Sequence, residues 1–433
     1  MPSTAAVRPG KVASIVSGKD RETRETPEDS LNGLQDPPLR KPRKAYEVEL
    51  LHKAIAEGVD PLKSGAVPRW EDEVGIGRIV NRRVFELDRL PSPAEVLTRY
   101  PLDRDARNLV IRSRQEIRAC LQGEDDRFLV IIGPCSIHDP KAALDYARRL
   151  AAMKNELSDR LLIVMRVYFE KPRTTIGWKG LINDPDLDGS HHIQKGLLLA
   201  RKTLLGVLGA GLPAATEFLE PTSPQYIADA VSWGAIGARN TESQVHRQLA
   251  SGMSMPIGFK NATDGSVDVA VDSCYAAAQR HTFFGIDHEG QAAAVETLGN
   301  PDCHLVLRGS KHGPNYDKES VRLALEASRQ KMPADSAATH GLIIDASHGN
   351  SGKDEHRQIG VIEELTDRIA AGEEGITGLM AESFIKGGNQ SAAPLDQLVY
   401  GQSVTDRCIS WPDTESLLRN LARAVDERRS RQG

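Results

Sequence analysis

Short apolar runs that each end in a chemically active side chain recur along this chain and constrain its fold more than any other feature. Seven runs of four to eight apolar or β-branched residues follow the pattern. Runs of this length and composition predict β-strands. The residues that close them are Cys135, Arg166, Arg239, Lys260, Arg308, His348 and Glu382.

Helical periodicity follows several of these strand-like runs. Helices are predicted at 140–157, 241–250, 318–331 and 354–371. Strands that alternate with helices are typical of a parallel sheet covered by helices. A barrel would place the carboxyl end of every strand at one face, whereas an open doubly wound sheet gathers ligands at a single switch point. Because nearly every strand here ends in a reactive side chain, the sequence predicts an α/β fold, a (β/α)8 TIM barrel.

The number of strand-like segments and the composition divide the chain further. We count nine segments, including 213–218, and assign the excess over eight to 282–297 as a β-hairpin inserted outside the ring. The catalytic barrel is predicted at 81–433. Residues 1–80 form an N-terminal extension rich in Pro, Gly and mixed charge, which predicts a largely flexible segment with a possible amphipathic helix at 44–57.

Composition excludes several classes of function. The chain has 433 residues, 39% hydrophobic content and a formal net charge of −5 without a basic stripe, so no nucleic-acid partner is expected. Five scattered cysteines indicate reduced thiols and a cytoplasmic protein rather than a disulfide framework. No apolar run approaches the roughly 18 residues of a membrane span, so no membrane partner is expected.

Four side chains predict a metal site. A thiolate, an imidazole and two carboxylates suit one divalent ion such as Mn, Fe, Co or Zn better than Mg or Ca. The four predicted ligands are Cys135, His348, Glu382 and Asp406. A basic set could collect at the same barrel face, and it predicts substrates that carry two phosphates, or a phosphate and a carboxylate. The basic residues are Arg166, Lys171, Arg173, Arg239, Lys260 and Arg308.

Longer motifs carry a family resemblance. They are GPCSIHD from residue 133, MRVYFEKPRTTIGWKGLINDPDLDGS from 165, GARNTESQVHRQLASG from 237, GFKNATDG from 258, LRGSKHGPNY from 307 and ESFIKGGNQS from 382. Together they resemble the type I, Phe/Tyr/Trp-regulated class of 3-deoxy-D-arabino-heptulosonate 7-phosphate (DAHP) synthases. The resemblance implies a barrel transferase that condenses phosphoenolpyruvate with erythrose 4-phosphate, the first step of the shikimate pathway. It also implies a homodimer or homotetramer.

The resemblance assigns roles to individual residues. It makes the four predicted ligands the metal ligands, and it places the phosphate of erythrose 4-phosphate on Arg173 and Thr174. For phosphoenolpyruvate it implies Arg166, Lys171, Arg239, Lys260 and Arg308, with Glu217 and the backbone of Gly237 and Ala238. The six basic side chains then balance the charges of both substrates and the metal shell. Lys171 is the first candidate for a proton donor near the aldehyde oxygen, and His246 is the second.

Two other functions stay open at this point. One is condensation of phosphoenolpyruvate with a different aldose phosphate, as in the 3-deoxy-octulosonate synthases, although KPRT at 171–174 stands where those enzymes typically carry KANRSS. The other is a catalytically idle paralogue that acts as a regulatory partner. Retention of all four ligand types and all six basic residues argues against it, because nothing would hold a mutually repelling cluster in place.

Overall fold

The computed structural model describes residues 83–84, 87–173 and 177–432. The predicted N-terminal extension, its helix at 44–57 and the domain boundary at residue 81 lie outside the described residues. Within the described part, no helix combines the length and the apolar character needed to cross a membrane.

Eight parallel strands close into a barrel in the order β1-β10-β9-β8-β5-β4-β3-β2. The remaining two strands, β6 and β7, form a separate antiparallel hairpin. The bounds are β1 Phe128–Gly133, β2 Leu161–Arg166, β3 Ala214–Glu217, β4 Trp233–Ile236, β5 Ile257–Lys260, β6 His281–Ile286, β7 Ala292–Thr297, β8 Cys303–Leu307, β9 Leu342–Asp345 and β10 Ile376–Glu382. The predicted (β/α)8 barrel and the predicted hairpin outside the ring are both confirmed.

Helices surround the barrel and connect its strands. Their bounds are α1 Pro93–Arg99, α2 Arg104–Gln122, α3 Pro140–Leu157, α4 Ile193–Gly209, α5 Pro224–Ile227, α6 Gln244–Ser251, α7 Asp268–Ala277, α8 Lys318–Lys331, α9 Ala337–His340, α10 His348–Ser351, α11 Glu355–Ala370 and α12 Trp411–Gln432. The predictions for α3 and α8 match these bounds. The prediction for α6 started too early, because the Thr241 hydroxyl donates to the Lys260 carbonyl (2.7 Å) and holds that stretch as a turn.

Apart from the polar side chains near their carboxyl ends and His304 in β8, the barrel strands are mainly apolar, as expected for strands that are buried on both faces. Alternate residues of β1 belong to different parts of the core. Leu129 and Ile131 pack in one cluster with Trp233 of β4, which fills the barrel interior, whereas Val130 and Ile132 pack in the larger cluster with the surrounding helices. The interior is therefore solid, and the strand ends are the place where a site can open.

Candidate active site and metal centre

A cavity of about 280 Å³ opens where the barrel strands end. Parallel strands in a closed ring bring their carboxyl ends to one face, so residues far apart in the chain meet there. Ten of the predicted site residues line this cavity. They are Lys171, Arg173, Glu217, Gly237, Ala238, Arg239, Lys260, Arg308, His348 and Asp406.

Three further predicted residues, Cys135, Arg166 and Glu382, have no exposed surface and lie beneath the cavity lining. Arg166 is turned toward the buried residues beneath the cavity. Its Nη2 donates to Glu382 (3.1 Å), and its guanidinium stacks 3.9 Å from the Tyr168 ring centroid. Thr174 lies outside the described residues.

Three of the four predicted metal ligands come together beneath the cavity, and the fourth, His348, lies beside one of them. The ligand atoms of Cys135, Glu382 and Asp406 all lie within 4.8 Å of one another. The Nε2 atom of His348 lies 3.8 Å from Glu382 Oε1. The sulfur and the two carboxylates lie close enough together to hold one ion, and the imidazole of His348 would complete a donor set suited to a borderline divalent ion. The chemistry of this donor set fits the predicted metal ion.

Glu382 stays ionised although it is buried. Burial would raise its pKa, but the positive charges of His348 and Arg166 outweigh burial and lower the pKa to about 2. Its second oxygen accepts a hydrogen bond from the Ser347 hydroxyl at 2.9 Å. A carboxylate that is charged and fixed in this way is ready to bind a cation.

Asp345 lies against the ring of His348. The Asp345 Oδ2 atom lies 2.8 Å from His348 Nδ1 and accepts a hydrogen bond from Lys260 Nζ at 3.0 Å. Burial would raise the pKa of Asp345, but the charges of His348 and Lys260 hold it well below its usual range. His348 adopts a left-handed backbone, with φ of 55°. A carboxylate on one ring nitrogen leaves the other, Nε2, free to bind a metal.

Lys171 contacts the predicted thiol ligand. Its Nζ donates to the Cys135 carbonyl at 2.9 Å and to Cys135 Sγ at 3.1 Å. Burial would lower the pKa of Lys171, but the negative charges of Cys135, then of Glu382, raise it above its ordinary value. Burial and the charge of Glu382 raise the pKa of the Cys135 thiol. A cation bound here would favour the thiolate.

His246 lies outside the set of cavity-lining side chains. Its Nδ1 lies 2.9 Å from the Ser243 hydroxyl, and its Nε2 lies 2.8 Å from the Leu219 carbonyl and 3.1 Å from Asn240 Nδ2. These contacts occupy both ring nitrogens and connect the loop that follows Arg239 with the loop that follows β3. The placement favours a role in holding that loop over the predicted role as a proton donor.

Several site residues escaped the sequence analysis. Asp345 is the clearest, because an acid that ends the apolar run LIID is a signal of the same kind as the others. It also belongs in the charge balance of the site, from which the prediction omitted it. Tyr168, Ser347, Lys353 and Thr405 carry no such signal. Lys353 Nζ lies 3.0 Å from Asp406 Oδ1, and Thr405 lines the cavity.

Glu170, next to Lys171, links two loops of the site. Its carboxylate accepts hydrogen bonds from the Ser223 hydroxyl (2.9 Å) and from the Glu220 backbone N–H (3.3 Å). Burial raises the pKa of Glu170 to about 7. The folded protein therefore binds this proton more tightly than the unfolded chain does. The neutral Glu170 carboxyl therefore contributes its full share to the stability of the folded protein below about pH 4, and this contribution is lost as the pH rises to about 7.

Glu170→Gln is expected to leave the free energy of unfolding nearly unchanged at about pH 4.5 and to raise it by about 2 kcal/mol at about pH 8, relative to the unmodified protein. The amide cannot ionise, so it escapes the cost of a buried negative charge. Urea unfolding of both proteins at the two pH values measures the difference. An equal change at both pH values would show that Glu170 does not titrate in this range.

Comparisons with known proteins agree with this geometry. Residues 107–419 match the model of the DAHP synthetase I family. Phospho-2-dehydro-3-deoxyheptonate aldolase of Corynebacterium glutamicum is 52% identical over 357 residues, which cover 81% of this chain and 95% of that protein. The Phe-sensitive enzyme of the same name from Escherichia coli is 52% identical over 348 residues, 80% of this chain and 97% of that protein.

The fold comparison gives the same result. The structure of phospho-2-dehydro-3-deoxyheptonate aldolase from Francisella tularensis matches with a TM-score of 0.77 and 46% sequence identity. The match covers 80% of this chain and 99% of that one. Three findings therefore agree: the family match spans most of the barrel, the relatives are about half identical across nearly their full length, and the fold is shared. The chain belongs to the DAHP synthetase I family.

Proposed function

We propose that this enzyme condenses phosphoenolpyruvate with D-erythrose 4-phosphate to give 3-deoxy-D-arabino-heptulosonate 7-phosphate and phosphate, the first step of the shikimate pathway. One observation carries the proposal: basic side chains from several barrel strands line one cavity directly above a cluster of a thiol and two carboxylates. Two anionic substrates need such a positive surface, because it offsets their mutual repulsion as they approach.

The cluster would hold one divalent ion, Mn, Fe, Co or Zn. The proposed ligands are Cys135, His348, Glu382 and Asp406. When bound, the ion would act as a Lewis acid toward the aldehyde oxygen of erythrose 4-phosphate. Asp345, Ser347 and Arg166 would hold the ligands in place, as their contacts with His348 and Glu382 indicate.

The basic residues divide between the two substrates. Lysines act as point charges and arginines as two-pronged donors toward phosphate and carboxylate. We assign phosphoenolpyruvate to Arg166, Lys171, Arg239, Lys260 and Arg308, with Glu217 and the backbone of Gly237 and Ala238 beside it. Arg166 would act from beneath the cavity. We assign the phosphate of erythrose 4-phosphate to Arg173 and Thr174.

The bond changes define what the side chains must do. The C3 carbon of phosphoenolpyruvate bonds to the aldehyde carbon, and the aldehyde oxygen gains the electron pair and a proton. Water adds to C2, and the bond from C2 to the phosphate oxygen breaks, so inorganic phosphate leaves with the bridging oxygen. Lys171 would deliver the proton, since its protonated Nζ lies 3.1 Å from Cys135 Sγ, beside the proposed metal.

Isotope-labelled substrate tests this reaction. Phosphoenolpyruvate carrying ¹⁸O in its bridging oxygen is incubated with erythrose 4-phosphate and the metal-loaded enzyme, and the phosphate and sugar are analysed by mass spectrometry. We expect a seven-carbon product and the label in the phosphate. Label retained in the sugar would mean that the P–O bond breaks instead, and absence of a seven-carbon product would refute the condensation.

Gly237→Ala is expected to raise KM for phosphoenolpyruvate on the order of tenfold, with a smaller change in kcat. A Cβ at residue 237 would overlap Glu217 Oε1, and this displaces a side chain that we assign to the substrate. Gly209→Ala in α4 is the matched control, because a Cβ there has open space. Steady-state kinetics measure both variants, and an unchanged KM in Gly237→Ala would exclude Glu217 from this role.

We also infer a homodimer or homotetramer, as the family resemblance implies for barrels of this class. Light scattering of the full chain measures its mass in solution. We expect two or four times the 47.3 kDa of one chain. A monomer that retains full activity would contradict the inference.

A further inference from the structure

The backbone N–H of Glu382 lacks a partner from a neighbouring strand. Glu382 ends β10, and on the β1 side it pairs in register with Gly133. On the opposite side the β9 register ends with Met380 opposite Asp345, so the ladder stops before Glu382. A buried N–H without a partner at this point would destabilise the fold.

The side-chain amide of Gln358, which is 1% exposed, replaces the missing strand. The Glu382 backbone N–H donates to Gln358 Oε1 at 2.7 Å, and Gln358 Nε2 donates to the Glu382 carbonyl at 3.0 Å. The same carbonyl also accepts from the Ile409 backbone N–H at 2.9 Å. Gln358 therefore contacts both backbone groups of the proposed ligand at once.

This contact joins two parts of the proposed metal site. Gln358 lies in the first turn of α11, a few residues beyond the short helix α10 that begins at His348. Its amide reaches across to Glu382 at the end of β10. The two hydrogen bonds from Gln358, here called the clamp, fix the Glu382 backbone, while Arg166 and Ser347 fix its carboxylate. Together these contacts hold the direction in which the carboxylate points.

We propose that Gln358 is a positioning residue that sets the metal affinity of the site by clamping the peptide of Glu382. The inference rests on the proposed metal centre and extends it to a side chain that touches neither metal nor substrate. Groups that orient metal ligands typically contribute 10–100-fold to affinity. We therefore expect loss of the clamp to weaken metal binding by roughly that factor.

Gln358→Met tests the proposal, because methionine has a similar length and offers neither hydrogen bond. The measurement is the dissociation constant of Mn by isothermal titration calorimetry, with metal-stripped full-length protein and no substrate. Asn300→Leu is the matched control. Asn300 is buried and lies just before β8, at the end of the barrel opposite the site. Its Nδ2 donates to the Ala250 (3.2 Å) and Met255 (3.0 Å) carbonyls.

We expect both variants to lower the melting temperature, but only Gln358→Met to raise the dissociation constant, by about 10–100-fold. An unchanged constant in Gln358→Met, or an equal increase in Asn300→Leu, would overturn the inference and leave the metal centre intact. If the unmodified protein does not bind Mn, both the inference about Gln358 and the proposed metal centre are overturned. If Gln358→Met does not fold, Gln358→Asn gives the answer: its shorter amide can keep at most one of the two bonds, so affinity should still fall.

Discussion

Cys135→Ala is expected to lower kcat for the condensation by on the order of 1000-fold and to weaken Mn binding severely. The variant loses the proposed sulfur ligand, whose Sγ lies within 4.8 Å of the potential ligand atoms of Glu382 and Asp406. It also removes the thiol that Lys171 Nζ contacts at 3.1 Å. The measurements are phosphate release at saturating substrates and a Mn titration of the same protein.

Cys303→Ala is the control for this result. Cys303 is also a fully buried free thiol, but it begins β8 and so lies at the end of the barrel away from the site. We expect it to retain both activity and metal affinity. If Cys135→Ala bound Mn as tightly as the unmodified protein, Cys135 would not be a metal ligand.

Lys171→Met is expected to lower kcat by about 100–10,000-fold while the metal stays bound, because the variant loses the proposed proton donor but none of the ligands. Methionine preserves most of the side-chain volume. Lys179→Met controls for the change in charge, since Lys179 is exposed and its backbone carbonyl, which the variant keeps, accepts the Lys171 backbone N–H at 2.9 Å. Steady-state kinetics and a Mn titration separate the two effects.

The outcome of the metal titration decides the role of Lys171. A variant that binds Mn normally but turns over slowly supports proton delivery. Restoration of kcat by Mn concentrations far above those the unmodified protein needs would instead show that Lys171 acts by stabilising the Cys135 thiolate, and the proton donor would have to be sought elsewhere in the cavity.

The residues at the strand ends are the part of this site that the sequence could predict. In a parallel barrel all strands end at one face, so side chains that close the strands, such as Lys260 and Glu382, can be expected to lie near one another. The four metal ligands were predicted from the chemistry of their side chains, and three of them, Cys135, Glu382 and Asp406, lie close together. The hairpin of β6 and β7 could be assigned because a ring of eight had no place for it.

The supporting contacts could not be read from the sequence. Gln358 lies in an amphipathic helix, where a glutamine usually faces solvent, and only the packing of α11 against β10 brings it to Glu382. Ser347 could not be predicted for the same reason, since its partner Glu382 is remote in sequence. His246 is a residue for which the sequence suggested more than its surroundings favour. A histidine near a basic motif was predicted to be a second proton-donor candidate, and the Ser243 hydroxyl and the Leu219 carbonyl lie within hydrogen-bond distance of its two ring nitrogens.

The most direct test of the central claim, one metal and two anionic substrates in one cavity, is the rate of phosphate release by metal-stripped full-length protein. The protein receives phosphoenolpyruvate with either erythrose 4-phosphate or arabinose 5-phosphate, with and without Mn. We predict turnover only with the four-carbon aldose and only with Mn. Turnover with the five-carbon aldose would indicate an octulosonate-type enzyme, and tight Mn binding without turnover of either would contradict catalysis and indicate an idle paralogue.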